Sequence, residues 1–161
     1  MHPNATLLTD FYTAFAARDG TTMAAAYSPD ATFTDPVFVD LKGAEVGAMW
    51  QMLCSRATDL RIEASGIDAD ATSGRTHWEA WYPFTKTGRT VHNVIDAAFT
   101  FNVDGKIIRH VDTFDFHRWA GMALGTSGKL LGWTPIIRNA VRTEARRGLD
   151  KFMRSQGFSP A

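Results

Sequence analysis

The chain contains a single cysteine, Cys54, among 161 residues. One cysteine excludes an intrachain disulfide and any cysteine-based zinc site. Charge of one sign is also lacking: 17 basic residues stand against 17 acidic ones, for a formal net charge of zero. That balance supplies no electrostatic footprint for nucleic acid, and no nucleic-acid partner is expected. No apolar run approaches the ~20 residues of a membrane span. The opening stretch, MHPNATLLTDFYTAFAARDG, has neither the basic start nor the apolar core of a signal peptide, so a cytoplasmic location is expected. A G-x-S-x-G elbow, a phosphate-binding glycine loop, internal repeats and low-complexity segments are all missing. What is present is 45% hydrophobic and 21% charged, the composition of an ordinary globular domain with a real core.

Hydrophobic period divides the chain. Residues 4–18 place Leu7, Leu8, Phe11, Phe15 and Ala16 on one helical stripe, with Asn4 or Thr6 as candidate caps. A short helix over 21–27 ends at SPD, and ATFTDP reads as a strand closed by Pro36. KGAEVGAMWQMLCSRATDL reads as a third helix, with Val46, Trp50, Leu53 and Cys54 on its apolar side. The Cys54 thiol is expected to be buried and inert. From 60 to 116 the period becomes two, with hairpin turns at the Gly/Ser stretch, TKTGR and NVDGK. Helices followed by a strand meander predict an α+β domain, its helices packed on one face of an antiparallel sheet.

The last forty-odd residues contain TPIIRNAVRTEARRGLDKFM, with Thr134 as candidate N-cap and Pro135 at the first helical position. Ile137, Val141, Ala145, Leu149 and Phe152 form an apolar stripe, while Arg138, Arg142 and Arg146 repeat at four-residue spacing. The expectation is a docked amphipathic helix with a solvated basic face. A membrane-surface or partner-binding helix is the sharper alternative, weakened by Glu144 and Asp150.

The chemistry-bearing residues gather in KIIRHVDTFDF, residues 106–116. Read by twos, one face carries Ile108, His110, Asp112, Phe114 and Phe116, so a histidine and an aspartate share a face with phenylalanines. On ATFTDP, Phe33 and Asp35 share a face in the same way. A carboxyl in apolar surroundings resists ionisation and can act as acid or base near neutral pH. Asp35 could equally cap its turn, and Asp112 could pair with an arginine. His77, His92 and His110 fall on three strands, but if Trp78, Ala80, Tyr82 and Phe84 point inward then His77 points out, and His92 lies opposite Asn93. No metal site is expected from them.

AAAYSPDATFTDP followed by LKG and a helix, together with the strand pair ending FTFNVDGKIIRHVDTFD, resembles the nuclear transport factor 2-like superfamily. That superfamily includes SnoaL-like polyketide cyclases, ketosteroid isomerases and limonene-epoxide hydrolase. The resemblance covers roughly residues 4–120 and implies a cone: a strongly bent antiparallel sheet against three N-terminal helices, enclosing a pocket. Residues 1–120 would form the cone and 121–161 a C-terminal helical extension packed on it. Asp35 matches the proton-shuttling aspartate of ketosteroid isomerases, whereas their oxyanion-hole tyrosine falls at Phe11 and their oxyanion-hole acid at Ala97. HVDTFD matches the strand of limonene-epoxide hydrolase whose first aspartate activates water, which gives Asp112; that enzyme's arginine and second aspartate fall at Trp78 and Ala80. The His-x-Asp pair of SnoaL-like cyclases is matched by His110 and Asp112.

By that resemblance the face bearing His110, Asp112 and Phe114 lines a cavity walled by Phe33, Trp50, Trp78, Tyr82, Phe84, Phe99, Phe101 and Phe114. The natural occupant is a small apolar molecule. The expected function is cofactor-independent acid–base chemistry on a small apolar carbonyl or cyclic compound: cyclisation, isomerisation, dehydration or hydrolysis. Asp112 would be acid/base, His110 its partner, Asp35 a second acid/base or polar anchor, and Asn93 an oxyanion donor. A non-catalytic ligand-binding module is the alternative, and an interaction module using the basic C-terminal helix is a third. Pairing as a homodimer through the outer sheet face, with Trp81 there, is implied by analogy.

Overall fold

The computed structural model describes residues 1–158. Three helices lead: α1 (Pro3–Ala16), α2 (Gly20–Ala25) and, after strands β1 (Tyr27–Thr34) and β2 (Leu41–Lys42), α3 (Ala44–Arg56). Strands β3 (Arg61–Ala69), β4 (Ser73–Pro83), β5 (Thr90–Phe101) and β6 (Ile107–Thr113) follow, then α4 (Phe116–Leu124), α5 (Thr126–Leu131) and α6 (Pro135–Ser155). The six strands form one curved sheet in the order β2-β1-β6-β5-β4-β3. This is the expected α+β cone, with one difference: β1 runs parallel to β6, and the other pairs are antiparallel. The connection between these two strands runs through β2, α3 and the β3–β5 meander, so no hairpin is needed.

Alternation sets the inner face. Trp78 and Ala80 on β4, with Ile95, Ala97 and Phe99 on β5, are buried in the core they share with α1 and α3, and Asn93 is buried on the same face of β5. The outer face holds His77 with Asp96 and His92 with Glu79, each at 2.8 Å, so the three strand histidines do not converge. Trp81 on that face is already covered within the chain, stacked on His92 at 4.5 Å and capped by Arg61 at 3.8 Å.

Several local details depart from the sequence expectations. The α1 cap is His2, whose Nδ1 accepts from Asn4 N–H, while Asn4 itself is buried and donates to Asp70 O at 2.9 Å. The β5–β6 register slips between Phe101–Ile107 and Thr100–Arg109, so Ile107, not Ile108, is the fully buried residue there. A bulge of this kind resets the period of two. Beyond β6 the strand pattern does not run to Phe116: Asp115 caps α4 by accepting from Arg118 N–H at 3.0 Å. Phe116, Trp119, Ala120 and Ala123 are spaced as one helical stripe, and it packs on Val91, Tyr82 and Phe84.

The α6 helix begins as expected, with Thr134 accepting from Ile137 N–H and Pro135 in the first turn. Its apolar stripe docks: Leu149 and Met153 are buried in the main core, and Ile137 and Val141 pack on the α4 cluster. The basic stripe is not the solvated face expected of it. Arg142 donates from Nε to Pro36 O at 2.9 Å, Arg146 pairs with the buried Glu45, and Arg138 lies over the Phe116 ring at 5.3 Å. The arginines therefore flank the apolar seam and tie α6 to the β1–β2 loop and α3. No helix among the described residues is long and apolar enough to cross a membrane.

Candidate active site

Strand β6 presents His110 and Asp112 to the interior, two residues apart and hence on one face. His110 is fully buried, with Asp112 almost so at 4% exposed. His110 Nε2 lies 2.8 Å from Asp112 Oδ1, and its Nδ1 lies 2.7 Å from the Tyr27 hydroxyl on β1. Trp50 on α3 donates its indole N–H to the same hydroxyl at 2.8 Å. The tautomer follows. Trp50 already donates to the Tyr27 oxygen, so the tyrosine proton needs an acceptor, and Nδ1 is the one in reach. His110 then carries its proton on Nε2 and donates it to Asp112. Only this arrangement satisfies every group in the chain Trp50–Tyr27–His110–Asp112.

Around this relay the rings close tightly. Phe99 lies 4.2 Å from the His110 ring, Phe33 4.9 Å, Trp50 6.0 Å and Phe11 6.1 Å. These rings contact the imidazole directly, so His110 is a packed and satisfied core histidine rather than a group facing open space. Asp112 is better placed for chemistry. Its Oδ1 takes His110 and, at 3.4 Å, the Trp78 indole N–H, while its Oδ2 hydrogen-bonds to no described residue.

Asp35 joins it through strand register. Phe33 pairs with His110 and Thr34 with Val111, so Asp35, the next residue after β1, leads on toward Asp112, near enough for their charges to interact. Asp35 also performs the turn-capping role open to it in the sequence: Oδ1 accepts from the Val37 and Phe38 amides at 2.7 and 2.6 Å. Burial nonetheless pushes its carboxyl up to about 7, and the nearby Asp112 charge adds to the rise against those amides and Arg142. Around neutral pH Asp35 is therefore poised between acid and base.

Two residues here lie outside the sequence candidates. Tyr12 on α1 is buried, and its hydroxyl has no hydrogen-bond partner among the described residues. Burial first, then Asp112 and Tyr27, drive its ionisation well above the ordinary tyrosine range, so it stays a neutral donor. Tyr27 behaves likewise. A signal for Tyr12 existed, since it stands four residues after Leu8 and next to Phe11 on the apolar stripe of α1. Nothing local marks Tyr27, whose partner His110 is 83 positions away.

The other expected wall residues divide. Phe33, Trp50 and Phe99 surround His110, and Phe101 continues that floor, stacked on Phe99 at 6.3 Å. Trp78 contacts Asp112. Tyr82 lies nearer Asp35, and burial with the Asp35 charge lifts its hydroxyl to about 12 against the Trp119 hydrogen bond. Phe84 belongs instead to the α4 cluster, 5.5 Å from Trp119, and Phe114 bridges the two clusters. Asn93 is buried on the inner face opposite Ala80, and its side chain bonds to no described residue. A groove of about 570 Å³ between the β1–β2 loop and α6, lined by Val37, Phe38 and Arg142, ends at the Asp35 turn.

Comparison with known proteins agrees with this architecture. Similar solved structures include SalBIII, described as an epoxide hydrolase/cyclase-like enzyme with a role in pyran ring formation in the polyether salinomycin: 13% identity, TM-score 0.61, covering 70% of this chain and 91% of that one. An NTF2-like protein of unknown function from Burkholderia pseudomallei matches at 18% identity and TM-score 0.61, over 71% of this chain and 92% of its own. An LEH-like epoxide hydrolase from M. tuberculosis matches at 20% and 0.58, over 84% and 96%. At these identities the likeness is one of fold. No curated protein matches the sequence significantly. The model of the SnoaL-like domain matches residues 8–110, more than half the chain, from within α1 to His110 on β6, and on that match the chain belongs to the SnoaL-like domain family.

Proposed function

We propose that this protein is an acid–base enzyme of the SnoaL-like type, acting on a small, largely apolar carbonyl or cyclic compound. The observation that carries the reading is the pairing of two unlike carboxyls. Asp112 is held at Oδ1 by His110 and Trp78 with Oδ2 free, and Asp35 stands beside it with its affinity for a proton raised to neutral pH. Two carboxyls with divided roles are what proton shuttling or acid-assisted ring opening needs. Asp112 Oδ2 takes a proton from the substrate or from water, His110 and the tyrosine behind it hold the carboxyl in orientation, and Asp35 returns a proton to the developing oxygen or carbon centre. Tyr12 and Asn93 are the neutral donors for that oxygen. The epoxide hydrolase- and cyclase-like neighbours are in keeping with this chemistry.

The test uses a panel of apolar cyclic ketones in D2O, followed by NMR for α-proton exchange, and of cyclic epoxides, followed for diol formation. Asp112→Asn keeps an oxygen for His110 and should fold, and turnover should fall about 100- to 10,000-fold. Equal turnover in the variant removes Asp112 from the mechanism. The rings packed around His110 favour a second reading, a binding module. It predicts ligand binding that survives Asp112→Asn, with no conversion of any compound.

A further inference from the structure

The α5–α6 turn carries an apolar cluster that the fold does not use. Leu130 is 66% exposed, Leu131 49%, Trp133 67% and Ile136 79%, within seven consecutive residues. Large apolar side chains this exposed, gathered within one short turn between two helices, mark a contact surface rather than chance. The tip is presented in a fixed orientation. A Cβ at Gly128 would fall 1.9 Å from Ala120 O, so only glycine lets α5 lie this close on α4. His117 Nε2 lies 2.8 Å from Lys129 O and ties the same junction.

Beside the tip is a depression of about 730 Å³ whose charge is mostly positive: Arg89, Arg118 and Lys129, with His117, against Asp115 alone. Arg89 and Arg118 spend one donor each on the carbonyls of Met122 and His92. None of the three cations forms an ion pair among the described residues, which leaves their charge available. Lys129 joins the two features, since it lines the depression and immediately precedes Leu130.

We propose that this tip docks on an anionic lipid surface, Trp133, Leu130, Leu131 and Ile136 entering the headgroup boundary while Arg89, Arg118 and Lys129 meet lipid phosphates. The combination of an exposed tryptophan–leucine cluster with a basic flank is the arrangement that interfacial binding rewards. A second copy of the chain fits less well, because a two-fold contact through this face would set the same cations against each other. The surface is distinct from the arginine stripe of α6, which is spent on Pro36, Glu45 and Phe116.

Co-sedimentation of the full chain with phosphatidylglycerol/phosphatidylcholine vesicles, and with phosphatidylcholine alone, tests the proposal. Binding should require the anionic lipid and weaken as salt is raised. The double variant Leu130→Ser, Trp133→Ser changes only exposed side chains, so its circular dichroism should match the parent while vesicle partitioning falls at least about tenfold. Lys129→Glu should weaken binding to anionic vesicles specifically. Absent binding by the parent chain, or equal binding by the double variant, overturns the proposal. So does a parent dimer that becomes monomeric in the double variant without any vesicle binding, which assigns the tip to self-association. Retention on immobilised polyglutamate without vesicle binding assigns it instead to an acidic protein and overturns it equally.

Discussion

The Tyr27 hydroxyl stands 2.7 Å from His110 Nδ1 and 2.8 Å from the Trp50 indole nitrogen, joining β1, β6 and α3 through one oxygen. Replacing Tyr27 with phenylalanine leaves a buried imidazole nitrogen without its donor and a buried indole N–H without its acceptor. Each orphaned group costs about 1–3 kcal/mol. Tyr27→Phe should therefore lose about 2–4 kcal/mol in urea-induced unfolding, far more than an exposed Tyr→Phe change. A loss within experimental error would mean that the relay is not formed in solution.

Tyr12 predicts the opposite. Its hydroxyl is buried without a partner among the described residues, so folding already bears its desolvation. Tyr12→Phe should leave the unfolding midpoint unchanged or raise it. If the hydroxyl serves as a donor to substrate, turnover drops in the same variant. Stability and activity moving in opposite directions is the signature, since a merely structural tyrosine would lower both or neither.

Asp35 makes stability depend on pH with a definite sign. Its carboxyl ionises near 3.8 in the unfolded chain and at about 7 in the folded one. The folded state therefore holds the proton more tightly, and the contribution of Asp35 to stability is full below about pH 4 and declines as pH rises to about 7. In Asp35→Asn, where the amide oxygen still accepts from Val37 and Phe38, that decline should be absent from the variant's stability–pH curve, so the difference between the two curves isolates it. Any activity that needs protonated Asp35 should fall above pH 7.

Arg146 and Glu45 test how α6 is held. Glu45 is 5% exposed and also accepts from Lys42 N–H at 3.0 Å, so removing Arg146 leaves a buried charge poorly compensated. Arg146 is itself partly exposed, and solvent moderates the effect. Arg146→Met should cost on the order of 1–3 kcal/mol. Adding Glu45→Gln should recover most of that loss, and a double-mutant cycle reads the coupling.

The cone was legible because its signals are local. The α1 and α3 stripes, the change to a period of two after residue 60, the turns and the Thr134–Pro135 helix start each follow from a few neighbouring residues. The period of two also placed His110 and Asp112 on one face and sent His77 and His92 to the other. It failed at Ile107, where a bulge resets the count, and at Phe116, where Asp115 starts a helix inside an apparently strand-like run. The α6 arginines misled for a related reason: a four-residue repeat of charge looks the same whether its partners are water or the Pro36 carbonyl and Glu45.

The sequence by itself determined which side chains share a face, because a face depends only on the turn angle per residue. The tertiary structure alone decided who meets whom across the fold. It set Tyr27 on His110 from 83 positions away, brought Asp35 beside Asp112 through a parallel register, left Tyr12 without a partner, and packed His110 among rings while Asp112 kept one oxygen free. Those choices are made by chain crossings and register, which depend on how the whole core closes and leave no mark on the local pattern.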